Sequence, residues 1–111
     1  MDLLNELQNL TQQLSNSLKL LRTNGIKLAE AEKEYKIAVN KKALQLRGED
    51  MPVTLINQVI YGYEDIAQLR FLRDSAEVVY NANQEAINTL KLQIRIVESQ
   101  IQREYSTNLP N

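Results

Sequence analysis

The sequence predicts an all-α protein: a long antiparallel, coiled-coil-like helical hairpin with a short helix at the connection, assembling as an oligomeric helix bundle. Three observations carry this expectation. Apolar residues recur on alternating steps of three and four in both halves: Leu7, Leu10, Leu14, Leu21, Leu28, Ala31, Tyr35 and Ala38, then Ile66, Leu69, Ala76, Tyr80, Ile87, Leu90, Ile94, Val97 and Ile101. Such a repeat lays one narrow apolar seam along each helix and specifies a partner helix. Only three Gly and two Pro occur in 111 residues, too few for a loop-rich β fold. Finally, Leu4, Leu18, Val39 and Leu46 flank the first stripe, and Leu72, Val79 and Ala86 the second. Stripes widened in this way belong to helices with two neighbours, which a bundle of several copies supplies.

The first helix is expected over about residues 3–47. Asp2 and Glu6 suit the positive end of its dipole, and Gly48 supplies a stop in the left-handed conformation. Thr23-Asn24-Gly25 lies inside it. Leu21 and Leu28 keep the seven-residue register across Gly25, which favours one continuous helix over a break, although Gly costs ~1 kcal/mol against Ala there. Glu49-Asp50-Met51-Pro52 leads into a short helix at about 53–61, built on Leu55, Ile56, Val59 and Ile60, with Pro52 suited to a first turn. The last helix spans about 63–105, and residues 106–111 are expected to fray. The whole forms a single helical domain. Pairing the long helices through the tip sets Leu21 near Leu90, Leu14 near Val97 and Leu10 near Ile101. It also brings Asn24 and Gly25 close to Asn83 and Ala82.

Thirteen basic and fourteen acidic residues nearly cancel, so no global field draws the chain to nucleic acid or to a membrane. Residues 19–47 carry eight basic and three acidic side chains, and residues 49–85 two basic and seven acidic. The basic limb should therefore fold against the acidic one and neutralise Lys33, Lys36, Lys41, Lys42 and Arg47, and nucleic acid is not the expected partner. Apolar runs fall far short of the ~20 residues a membrane span needs, and the N-terminus has no secretory pattern, so a cytosolic location is expected. The absence of Cys and His removes thiolate nucleophiles, imidazole chemistry and the commonest zinc ligands. Glu30, Glu32 and Glu34, two apart, spread around the helix instead of converging. No catalytic residue, metal or cofactor is expected, and the chain does not read as an enzyme.

Arg73 stands on the seam, where a coiled coil takes Leu or Ile. In one reading it pairs with Glu34 or Glu30 of the opposing helix and fixes register. In the other, Arg70 and Arg73, with Tyr61, Tyr63 or Tyr80 beside them, form an anion pocket at an oligomer interface, because guanidinium forks match phosphate oxygens and aromatic faces stack on bases. Asn24 and Asn83 read as polar seam residues that set register and oligomer state.

The run Arg70-Phe71-Leu72-Arg73-Asp74-Ser75-Ala76-Glu77-Val78-Val79-Tyr80, with Glu85-Ala86-Ile87-Asn88, Lys91-Leu92-Gln93-Ile94-Arg95 and Leu28-Ala29-Glu30-Ala31-Glu32-Lys33-Glu34-Tyr35-Lys36, resembles small helical proteins of phages and prophages of Gram-positive bacteria. The resemblance implies a viral accessory protein made in a bacterial cytosol. With the Arg/Tyr cluster, it raises the expectation of a counter-defence protein that sequesters a nucleotide immune signal, such as a cyclic nucleotide, or inhibits a host defence protein. The alternatives are a replication or recombination accessory and a coiled-coil adaptor in virion assembly.

Overall fold

The computed structural model describes residues 2–108. Among them all regular structure is helical: α1 (Leu3–Gly48), α2 (Val53–Val59), a 3-10 turn (Ile60–Gly62) and α3 (Glu64–Asn108). The fold is the expected helical hairpin with a short helix at its connection. α3 continues three residues past its expected end at 105, and residues 109–111 of the expected frayed tail lie outside the described residues.

Asp2 opens α1: the Leu4 N–H donates to its Oδ1 at 3.0 Å and the Glu6 N–H to its carbonyl at 3.2 Å, satisfying amides that have no partner within the helix. α1 then runs unbroken through Thr23-Asn24-Gly25. Its end differs from expectation. Gly48 is the last helical residue and has no positive φ; the left-handed residue is Asp50, at φ 62°. The Asp50 N–H donates to the Arg47 carbonyl and the Met51 N–H to the Leu46 carbonyl, each at 3.0 Å, which is the Schellman pair of bonds. That motif is completed by an apolar contact, and a stop at Asp50 puts Met51 against the buried cluster that contains Leu46. Asp50→Gly should therefore stabilise the chain by ~0.5–1 kcal/mol, since an L-residue pays for the left-handed backbone. A Cβ at Gly48 would meet nothing within 4 Å, so Gly48→Ala should add a similar increment. A thermal melt of the double variant checks both: its midpoint should rise by several degrees.

The chain divides into two compact units. The connector unit, Asn24–Tyr80, holds a cluster of Leu46, Ile56 and Ile60, packed by Val39, Ala43, Met51 and Tyr63, with Tyr35 and Ile66 also buried. Ile56 and Ile60 stand four apart, so α2 and the following turn deliver both to Leu46 from one face. The terminal unit, Met1–Thr23 with Asn81–Asn111, buries Ile87, Leu90 and Val97. Every residue of the two seams is buried or half-buried.

The register is shifted from the expected one. Leu90 shares a cleft with Gln13, Asn16 and Ser17, about a turn before Leu21; Asn83 lies against Ser17, and Gly25 against Tyr80. A seven-residue repeat sets apolar against apolar in more than one alignment, so the seams alone leave the choice open. Bulk and polarity decide it. The Tyr80 ring packs closely on Gly25 and leaves little room for a larger residue there, and Asn83 finds the Ser17 carbonyl, which its Nδ2 reaches at 3.1 Å.

The expected neutralisation of the basic limb is also corrected. Among the described residues a single ion pair, Lys42–Asp65 at 3.0 Å, joins residues 19–47 to residues 49–85. Lys36 bonds Glu32 on its own helix at 3.5 Å, and Arg73 bonds its neighbour Asp74. Long exposed side chains gain little from fixed pairing in water, so net charge opposes net charge without contact.

Candidate functional site

The seam positions of α1 and the first turns of α3 bring cations over aromatic rings in the connector unit. The Arg73 guanidinium lies 4.7 Å from the centre of the Tyr35 ring, and that of Arg70 5.6 Å from the Tyr61 ring. Nζ of Lys42 lies 4.9 Å from the Tyr63 ring. Each pair places a positive charge on the negative face of an aromatic ring.

Arg73 does not pair with Glu34 or Glu30. Its Nε and Nη2 donate to Oδ1 of Asp74 at 3.0 and 2.7 Å, and both glutamates are exposed. The physical reason is proximity: a flexible guanidinium on Tyr35 reaches the adjacent carboxylate without crossing between helices. The Asp74 hydrogen bonds, against some desolvation, raise the Arg73 pKa further above its already basic value. Arg73 thus remains a cation whose charge is locally offset. Arg70 is exposed and makes no ion pair among the described residues.

Tyr35 and Tyr61 line one open cavity of ≈ 310 Å³ together with Lys36, Val39 and Asn40. The five residues expected to form an anion pocket therefore separate. Tyr61 lines this cavity with Arg70 over its ring, and Arg73 lies over Tyr35, which also lines it, but neither arginine is itself in the lining. Tyr63 belongs instead to the Lys42–Asp65 pair, and Tyr80 packs on Gly25. Asn83 holds the Ser17 carbonyl in the terminal unit, while Asn24 is half-buried in the connector unit. Lys36 and Asn40 escaped the sequence reading of the site. Their signal was the i, i+4 spacing beside Tyr35, which sets both on the flank of the seam.

The Lys42 hydrogen bond holds the Asp65 carboxyl below its ordinary value of 3.8. A depressed carboxylate contributes stability that is present above the unfolded value and fades as pH falls through the folded one. Asp65→Asn should accordingly lower stability slightly at neutral pH and flatten the loss below pH 3.8 by the same small amount, as acid titration monitored by circular dichroism would show.

Among the described residues no three acidic side chains gather as a metal site, and no helix is long and apolar enough to cross a membrane. No family model, curated protein or solved structure matches the chain.

Proposed function

We propose that this chain is a non-enzymatic binding protein that works as a homo-oligomer, a dimer or larger, and holds a nucleotide-like anion at the Tyr35–Tyr61 cavity. In the setting suggested by its resemblance to phage proteins, it acts in the bacterial cytosol as a counter-defence protein that withdraws a nucleotide immune signal. One observation carries the reading: the exposed guanidinium of Arg70, without an ion pair among the described residues, lies over the ring of Tyr61, and Tyr61 lines a cavity together with Lys36 and Asn40. A phosphate finds charge-assisted donors there, and a base finds an aromatic face. Arg73, held by Asp74, orients Tyr35 and takes no phosphate.

Isothermal titration with cyclic di- and trinucleotides and cyclic ADP-ribose isomers tests this. The wild type should bind one of them at micromolar affinity or better, and Arg70→Ala should weaken binding about tenfold by losing a charge-assisted contact. No heat with any of these ligands at micromolar protein overturns the reading. The unneutralised basic face of α1, where Lys33, Lys41 and Arg47 are exposed, favours a second one, a DNA accessory. It predicts a salt-sensitive gel shift with oligonucleotides and fails if none appears at low salt.

A further inference from the structure

Among the described residues eight apolar side chains are buried, yet sixteen large ones stand exposed. In the connector unit, apart from Val53, Leu55 and Tyr61 at the connection, the exposed residues fall on two helical faces. On α1, Ile26, Ile37 and Leu44 are 51%, 46% and 74% exposed. Their spacings of eleven and seven return them to one side of the helix, and Ile37 stands two residues from buried Tyr35, roughly opposite the seam. On α3, Phe71 and Val78 are 63% and 68% exposed, and Leu72 and Val79, likewise seven apart, lie beside them. The two faces differ in charge. Residues 24–48 hold six basic and three acidic side chains, a balance of +3; residues 64–80 hold two and four, a balance of −2.

We propose that copies of this chain associate by unlike faces, the Ile26–Ile37–Leu44 side of α1 in one copy lying against the Phe71–Val78 side of α3 in the next. This rests on the homo-oligomer reading above and deepens it by assigning the surfaces. The charge argument selects a second copy over nucleic acid. Lys33 and Lys41 each stand four residues from Ile37, so the basic groups rim an apolar stripe instead of forming the continuous cationic track a phosphate backbone needs. Opposite them, Glu64, seven residues before Phe71, and Asp74, three after Phe71 and four before Val78, lie exposed on the same side of α3 and set carboxylates around an apolar centre, with neutral Gln68 beside them. Apolar centres with opposite-charge rims fix both affinity and pairing. The contact is heterologous, so it either closes on itself or repeats.

Reversing one rim at a time tests this. Lys33→Glu with Lys41→Glu makes one chain, and Glu64→Lys with Gln68→Lys another; all four positions are exposed. Light scattering on the wild type at micromolar concentration should give at least twice 12.8 kDa. Each reversed chain alone should associate about a hundredfold more weakly, because like charges then face each other. An equimolar mixture should regain the wild-type assembly, since basic rim again meets acidic rim. If a reversed chain loses helicity by circular dichroism, Leu44→Gln and Val78→Gln are measured in its place and should abolish the assembly. Reversed chains that keep the wild-type mass, or a mixture that does not recover it, overturn the assignment and leave the homo-oligomer standing. A wild type that scatters as a lone 12.8 kDa particle overturns both.

Discussion

Leu46→Ala should lower the free energy of unfolding by about 2–5 kcal/mol, and by the same amount at every protein concentration. Leu46 is 2% exposed and sits at the centre of the cluster with Ile56 and Ile60, where α1, α2 and the 3-10 turn meet. Its carbonyl also accepts the Met51 bond that ends α1, so the void opens beneath the turn itself. Small helical domains have little stability to spare, and a loss of this size takes a large share of it. Leu44 provides the internal control. It is the same residue type two positions earlier and is 74% exposed. Leu44→Ala should leave the isolated chain within ~0.5 kcal/mol of wild type, its effect growing with protein concentration where copies associate. Urea titrations of both variants at two concentrations separate the cases. A Leu46→Ala loss below ~1 kcal/mol would mean that the cluster is not the organising core of this unit.

The contrast between those two leucines also marks how far the sequence could be read. The period of the apolar residues placed both long helices and chose the buried side of each, because burial follows from position on a helix, which is local information. Every seam residue, from Leu7 to Ile101, is accordingly covered to some degree. Register was not legible in the same way. Leu10, Leu14 and Leu21 meet apolar partners whether the strand of residues opposite is shifted by a turn or not, and only tertiary fit at Gly25 and Tyr80 distinguishes the alignments. The left-handed stop was misplaced for a related reason. Gly48 is the better left-handed residue by its own preference, but a stop at Asp50 lets Met51 bond the Leu46 carbonyl and pack on the buried cluster, which offsets the strain at Asp50. At the candidate site, the sequence grouped Arg70 and Arg73 with Tyr61, Tyr63 or Tyr80 but left open which ring each arginine meets; Arg70 lies over Tyr61. The convergence of Arg73 on Tyr35 needed the true register, and its seam position pointed across to Glu34 or Glu30, whereas it bonds Asp74, the carboxylate next door.

Gly25→Val should cost about 1–3 kcal/mol, and most of that cost should vanish when Tyr80 is removed as well. Gly25 lies within α1, where glycine is disfavoured by ~1 kcal/mol relative to alanine, so its presence has to be compensated elsewhere. The compensation is proximity. A Cβ at position 25 would stand 3.2 Å from Cε1 and 3.8 Å from Cδ1 of Tyr80, closer than the ring can accept without moving. For Gly25→Ala the helix gain and this crowding nearly cancel, and the stability should change little. Valine adds two methyl groups into the same gap and stiffens the side chain, so crowding wins. In a Tyr80→Ala background the obstacle is gone, and Gly25→Ala should then recover its full ~1 kcal/mol. Denaturation of the four combinations of Gly25→Val and Tyr80→Ala gives the coupling directly. A valine that costs the same with and without the ring would show that position 25 is glycine for the sake of the α1 backbone itself, and that Tyr80 does not set the register.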